Sequence, residues 1–220
     1  MIETGLYFDD IHSFKNLNLI LSGSYISPAI PKTSYIDIPG ADGSIDLTEA
    51  TGEVKFNDRE GQFTFTMNPT GDLSDDAWES KKTEVSNLLS GRKVKITLDK
   101  DSGYYYEGRC HVDTYTSDQR VRQIVVKAKV APYKMKQDET VITHTLASGE
   151  KQITIINSRK SVSPYIECSN DNTTVVFGDM SFTLNAGTHK ILDIVLLQGN
   201  NTLKISGTGT VTFRFREGDL

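Results

Sequence analysis

Apolar and polar residues alternate with a period of two through most of this chain, which constrains it to half-buried antiparallel strands. Gln62-Phe-Thr-Phe-Thr-Met67, Lys93-Val-Lys-Ile-Thr-Leu98, the run 104–112 and the run 122–130 each put every second side chain on one face. Thr, Val and aromatic residues fill these runs, as a pleated surface with one dry side requires. Asp99-Lys-Asp-Ser-Gly103 predicts a hairpin loop between two of them. Only the stretch 74–90 has a helical period. Ser74 is a suitable N-cap, with Asp75 and Asp76 at the positive end of the dipole. Trp78, Val85, Leu88 and Leu89 share a face, and Gly91 ends the segment. The only Trp of the chain therefore reads as a core anchor.

The 220 residues leave room for one large or two small domains. A polar stretch from Lys134 to Glu139 suggests a boundary, giving domains 1–137 and 138–220. The second part carries no helical period. Its short strand-like runs (152–156, 164–168, 173–177, 180–184, 189–196, 201–205 and 209–216), separated by Gly, Asn and Asp, predict a β-sandwich. The fold class is therefore mainly β, with an N-terminal antiparallel module bearing one helix.

Residues 17–39 are the exception. Three of the six prolines, Pro28, Pro31 and Pro39, fall here, so the segment cannot lie in the middle of a sheet. Yet Leu19, Ile20, Tyr25, Ile26, Ile30, Tyr35, Ile36 and Ile38 are too apolar for a solvated loop. An extended apolar strip needs a surface to lie on, either its own module's core or a neighbouring copy of the chain.

Charge and motif content narrow the function. The formal net charge is −5, and no run of Lys or Arg exceeds two. Duplex binding by phosphate neutralisation is not expected. No apolar run reaches the roughly 20 residues that span a bilayer, so no membrane contact is expected. The first residues are acidic where a signal peptide is basic, so the expected compartment is the cytoplasm. Cys110 and Cys168 lie in strand-like runs and read as buried free thiols. His12, His111, His144 and His189 are dispersed, and no nucleophile elbow, phosphate loop or dinucleotide fingerprint occurs. Asp42, Asp46 and Glu49 lack EF-hand spacing and read as turn-capping residues. No enzyme activity, metal or cofactor is expected.

The sharpest motif follows the apolar strip: Ile38-Pro-Gly-Ala-Asp-Gly-Ser-Ile-Asp-Leu-Thr-Glu49. A Pro-Gly-x-Asp-Gly-x-x-Asp-Leu-Thr pattern after such a segment resembles the distal tail proteins of siphophages, hub components of long non-contractile tails. The layout of a β module with one helix followed by an all-β part is similar over the whole chain. The resemblance implies a C-terminal galectin-like β-sandwich and a homo-hexameric ring in the virion tail tip, assembled in the host cytoplasm. The tail tube protein would lie above the ring, a tail-tip protein below it, and a receptor-binding protein would be a further partner. DNA would pass through the lumen without specific binding. It also implies that residues 17–49 form a belt laid on the next subunit, with Leu19, Ile20, Tyr25, Ile26, Ile30, Tyr35, Ile36, Ile38, Pro39, Gly40, Asp42, Gly43 and Asp46 as interface residues. Gly40 and Gly43 suit a sharp reversal at positive φ, and Asp42 and Asp46 suit backbone N–H groups inside that turn.

Two other classes of function compete with this one. A carbohydrate-binding module would use the sandwich to recognise host cell-wall saccharide. The galectin motif His-x-Asn-x-Arg followed by Trp is absent, and the second part has no Trp. A tail-associated hydrolase would need a catalytic constellation that the sequence does not display.

Overall fold

The computed structural model describes residues 5–50, 52–118, 121–147 and 149–220. The chain is mainly β, and residues up to Lys134 form one compact unit while Met135–Asp219 form a second. Residues 1–4, the start of the stretch read for a leader, lie outside the described residues. Among the described residues no helix is long and apolar enough to cross a membrane.

The first unit contains β1 (Leu6–Phe8), β2 (Ile11–His12), β3 (Leu19–Ile26), β4 (Tyr35–Asp37), β5 (Ser44–Asp46), β6 (Arg59–Met67), α1 (Asp75–Leu89), β7 (Lys93–Leu98), β8 (Tyr104–Asp118) and β9 (Val121–Val130). Seven strands pair antiparallel in the order β2-β1-β7-β8-β9-β6-β3. The alternation read from the sequence sets the dry face. Phe63 and Phe65 on β6, Val94 and Ile96 on β7, and Ile124 and Val126 on β9 are all buried in one cluster. The hairpin loop after β7 is a short 3-10 turn, Asp99–Asp101.

Helix α1 covers this face with Trp78, Val85 and Leu89. Its N-terminus is fixed as expected: the Ser74 hydroxyl accepts from the Ala77 N–H at 3.3 Å. Arg122 on β9 donates to the Ser74 carbonyl and to Asp75, both at 2.6 Å, and its guanidinium lies over the Trp78 ring. Ser74→Ala is expected to destabilise this unit by about 1 kcal/mol, lowering its calorimetric midpoint by a few degrees.

The second unit holds β10 (Lys134–Lys136, beginning at the boundary residue), β11 (Thr140–Leu146), β12 (Glu150–Asn157), β13 (Tyr165–Cys168), β14 (Thr173–Phe177), β15 (Met180–Leu184), β16 (Gly187–Lys190), β17 (Gly199–Ser206), β18 (Gly209–Phe215) and β19 (Gly218–Asp219). Two four-stranded sheets, β11-β18-β13-β16 and β12-β17-β14-β15, share one core. Ile166, Val211 and Phe213 from the first meet Ile155, Val175, Leu203 and Ile205 from the second. Short β10 pairs with β19, and the Lys136 ammonium reaches Glu217 at 2.8 Å.

One sequence expectation needs correction. The strand expected at 189–196 ends at Lys190, because the chain turns there and the Ile194 N–H reaches the Ile191 carbonyl. Ile194 and Leu196 are nonetheless buried in the core. The polar stretch after Tyr133 carries β10, and β11 begins at Thr140.

Candidate functional site

The proline-bearing segment departs from the sheet at the end of β3. Strand β3 is the outer strand of its sheet and pairs with β6 alone, so no ladder donor is lost to the prolines that follow it. Beyond Ile26 the two legs stay antiparallel. The Ser27 N–H donates to the Glu60 carbonyl, Asn57 to Ile30 and Lys32 to Lys55, with a bridge at Pro31–Phe56. The legs end in the β4–β5 hairpin, in which Tyr35 pairs with Asp46, Ile36 with Ile45 and Asp37 with Ser44. Every residue from 30 to 47 is exposed. The segment is an arm, bare from residue 30 to residue 47.

The loop of the hairpin carries the sharp motif. Gly40 and Gly43 both take positive φ, at 83° and 75°, as the expected reversal demands. Asp46 accepts the Thr48 N–H at 2.9 Å, and hydrogen bonding to Thr48 holds its carboxyl below the usual range. Among the described residues Asp42 makes no such bond, and its place is taken by Asp37, which accepts from the Ser44 hydroxyl.

The register makes the hairpin amphipathic. Ile36 and Ile45 are directly opposed and so share a face, which alternation extends to Leu47. Tyr35, Asp37, Ser44 and Asp46 occupy the other face. Ile45 and Leu47 were missed as site residues, although folding the motif about its glycine loop would have set Ile45 against Ile36. A two-stranded ribbon is marginal alone in water, and here its apolar face has no cover among the described residues.

The belt does not start where the sequence suggests. Leu19 is 1% exposed and belongs to the module's own core, so it is not available to a neighbour, and Ile26 is half-buried against the same core. The physical reason is the pairing of β3 with β6, which turns alternate side chains inward. Ile20 and Tyr25 fall on the outer face, Tyr25 at 60% exposure. Both lie on β3, before the arm, which begins at Ser27 and carries Ile30, Tyr35, Ile36, Ile38 and Pro39.

The titratable groups are engaged in structure. His12 is buried, and its Nδ1 accepts the Phe14 and Lys15 N–H groups, which puts the proton on Nε2, hydrogen-bonded to Asp99 at 3.0 Å. This Asp–His pair has no free ring nitrogen to act as a base. Cys110 and Cys168 are buried and free, and burial pushes the Cys110 thiol up to about 12. Among the described residues no group of three His, Cys, Asp or Glu could hold a metal ion.

His144, on β11, has its Nε2 shielded from solvent with no hydrogen-bond partner among the described residues. Burial, and then the nearby Lys151 charge, hold its pKa below 6.5. The unfolded chain thus takes up the proton more readily than the folded one. Stability is fully present above about pH 6.5 and is lost as the pH falls below it. The calorimetric midpoint of the sandwich is expected to fall between pH 7 and pH 5, and the fall should shrink in His144→Gln.

No family model matches the chain, and no curated protein matches it. Among solved structures it is similar to the SPP1 Dit (gp 19.1) protein, whose crystal structure is described as a paradigm of the hub adsorption apparatus in phages infecting Gram-positive hosts. The two share 16% sequence identity and superpose with a TM-score of 0.71 over 99% of each chain. The chain therefore has the fold of that hub protein along its whole length.

Proposed function

We propose that this chain is a structural, non-catalytic hub protein of a bacteriophage tail tip, with six copies forming a ring between the tail tube and the tail-tip proteins. The bare arm carries this reading. Its apolar face needs a dry surface that its own module does not offer, and the next copy in a ring supplies one to every arm alike. The full-length likeness to a phage hub protein supports the same role. In this reading the interface residues are Ile30, Ile36, Ile38, Ile45 and Leu47, with the Pro39–Gly43 turn at the tip. The sandwich docks peripheral or receptor-binding proteins, and the DNA passing through the lumen is not bound.

Light scattering combined with negative-stain imaging tests this reading. It requires an annulus near six times the chain mass of 24.4 kDa. A monomer, both alone and when mixed with the tail proteins of its own phage, would overturn it.

A second reading rests on Tyr165, which stands 44% exposed on the outer face of its sheet. Arg214 and Lys190 pair with it on either side, and Arg214 is bonded to Glu167 at 2.9 Å. An aromatic ring beside polar forks suits a pyranose. Saturable binding of cell-wall saccharide, lost in Tyr165→Ala, would favour it.

A further inference from the structure

The arm is uncovered, yet it is not loosely hung. Where its two legs leave the sheet, Arg59, the first residue of β6, is only 8% exposed. A guanidinium taken out of water is costly unless its donors are met, and a carboxylate is the usual partner. Arg59 has none. Its Nε donates to the Ser27 carbonyl at 2.5 Å, its Nη1 lies 3.5 Å from the Pro132 carbonyl, and its Cζ lies 5.3 Å from the centre of the Tyr106 ring. The adjacent carboxylate of Asp58 is turned to Lys129, at 3.4 Å.

These contacts join three different elements. Ser27 is the first residue of the outgoing leg. Tyr106 belongs to β8, at the centre of the sheet. Pro132 sits in the segment after β9, which is itself pinned where the Ala131 N–H donates to the Glu107 carbonyl. The returning leg is fastened to the same segment, because the Phe56 ring meets the Tyr133 ring edge-on at 5.9 Å. Both legs are thus tied to residues 131–133, and through Arg59 to the sheet.

We infer that Arg59 is a positioning residue that aims the arm, with Phe56 and Tyr133 as the second fastening. A ribbon that must land on a partner gains affinity when its direction is fixed beforehand, since less freedom is lost on docking. The use of that aim rests on the proposed role of the arm in contacting another copy. The aim itself does not.

The test uses the full chain with spin labels on Ile36→Cys and Lys93→Cys, diluted into unlabelled protein. The native thiols are buried and stay unlabelled. The distance distribution between the labels should be narrow in the parent. It should at least double in width in Arg59→Met, stay intermediate in Arg59→Lys, and widen partly in Phe56→Ala, which leaves the guanidinium in place. Circular dichroism should show the sheet intact in each variant. An unchanged width in folded Arg59→Met would overturn the inference; should that variant not fold, an unchanged width in Phe56→Ala would do so. Assembly is read separately. A widened distribution with undiminished assembly would uphold the aiming role and contradict the arm's role between copies.

Discussion

Replacing Ile36 and Ile45 together by aspartate is expected to leave each chain folded and to abolish its assembly. Both side chains are about half exposed and neither belongs to a core cluster. Exposed substitutions away from structural contacts change stability by about 0.5 kcal/mol or less, so the calorimetric midpoint of the first unit should hardly move. The effect on association is of another size. Fully burying an isoleucine is worth about 1.5–3 kcal/mol, so the exposed halves of two lost from each interface weaken it by about 1.5–3 kcal/mol, or roughly 10- to 150-fold. Two carboxylates then face a dry surface and add a desolvation cost. Sedimentation of the double variant should give monomer at concentrations where the parent is fully assembled.

The largest effect on folding is expected at the two buried phenylalanines Phe63 and Phe213. Each is fully buried, and each lies in a different core cluster. Truncating a buried Phe to Ala removes its transfer free energy and leaves a cavity, at about 3–5 kcal/mol. That is a large share of the roughly 5–15 kcal/mol that holds a domain folded. Because each core draws its residues from one unit, the losses should separate. Phe63→Ala should lower the calorimetric transition of the first unit and spare the second, and Phe213→Ala the reverse. Equal lowering of a single transition by both would show that the units unfold together.

Strands were legible where alternation was unbroken. Phe63 and Phe65, or Val94 and Ile96, announce a dry face by their spacing alone, and Ser74 with the acidic first turn announces the helix. Strand β11 was overlooked although Thr140-Val-Ile-Thr-His-Thr-Leu146 contains the signal, because the preceding polar residues read as a connector. The arm was legible as a conflict, with prolines forbidding a central strand and isoleucines forbidding a solvated loop. Its starting point was not, since Leu19 faces the core only because β3 pairs with β6, a contact between residues far apart in sequence. Arg59 was invisible for a similar reason. A cation just outside an alternating run reads as solvated, and its burial comes from Ser27, Pro132 and Tyr106 converging on it.

The central claim is that the arm rests on another copy of the chain. A photo-crosslinking residue in place of Ile36, activated in the assembled protein, tests it most directly. Covalent products between chains are expected, rising on a denaturing gel as a ladder toward six, with the new bond mapping to the first unit of a second copy. Adducts confined within single chains, under conditions where the assembly is intact, would contradict it.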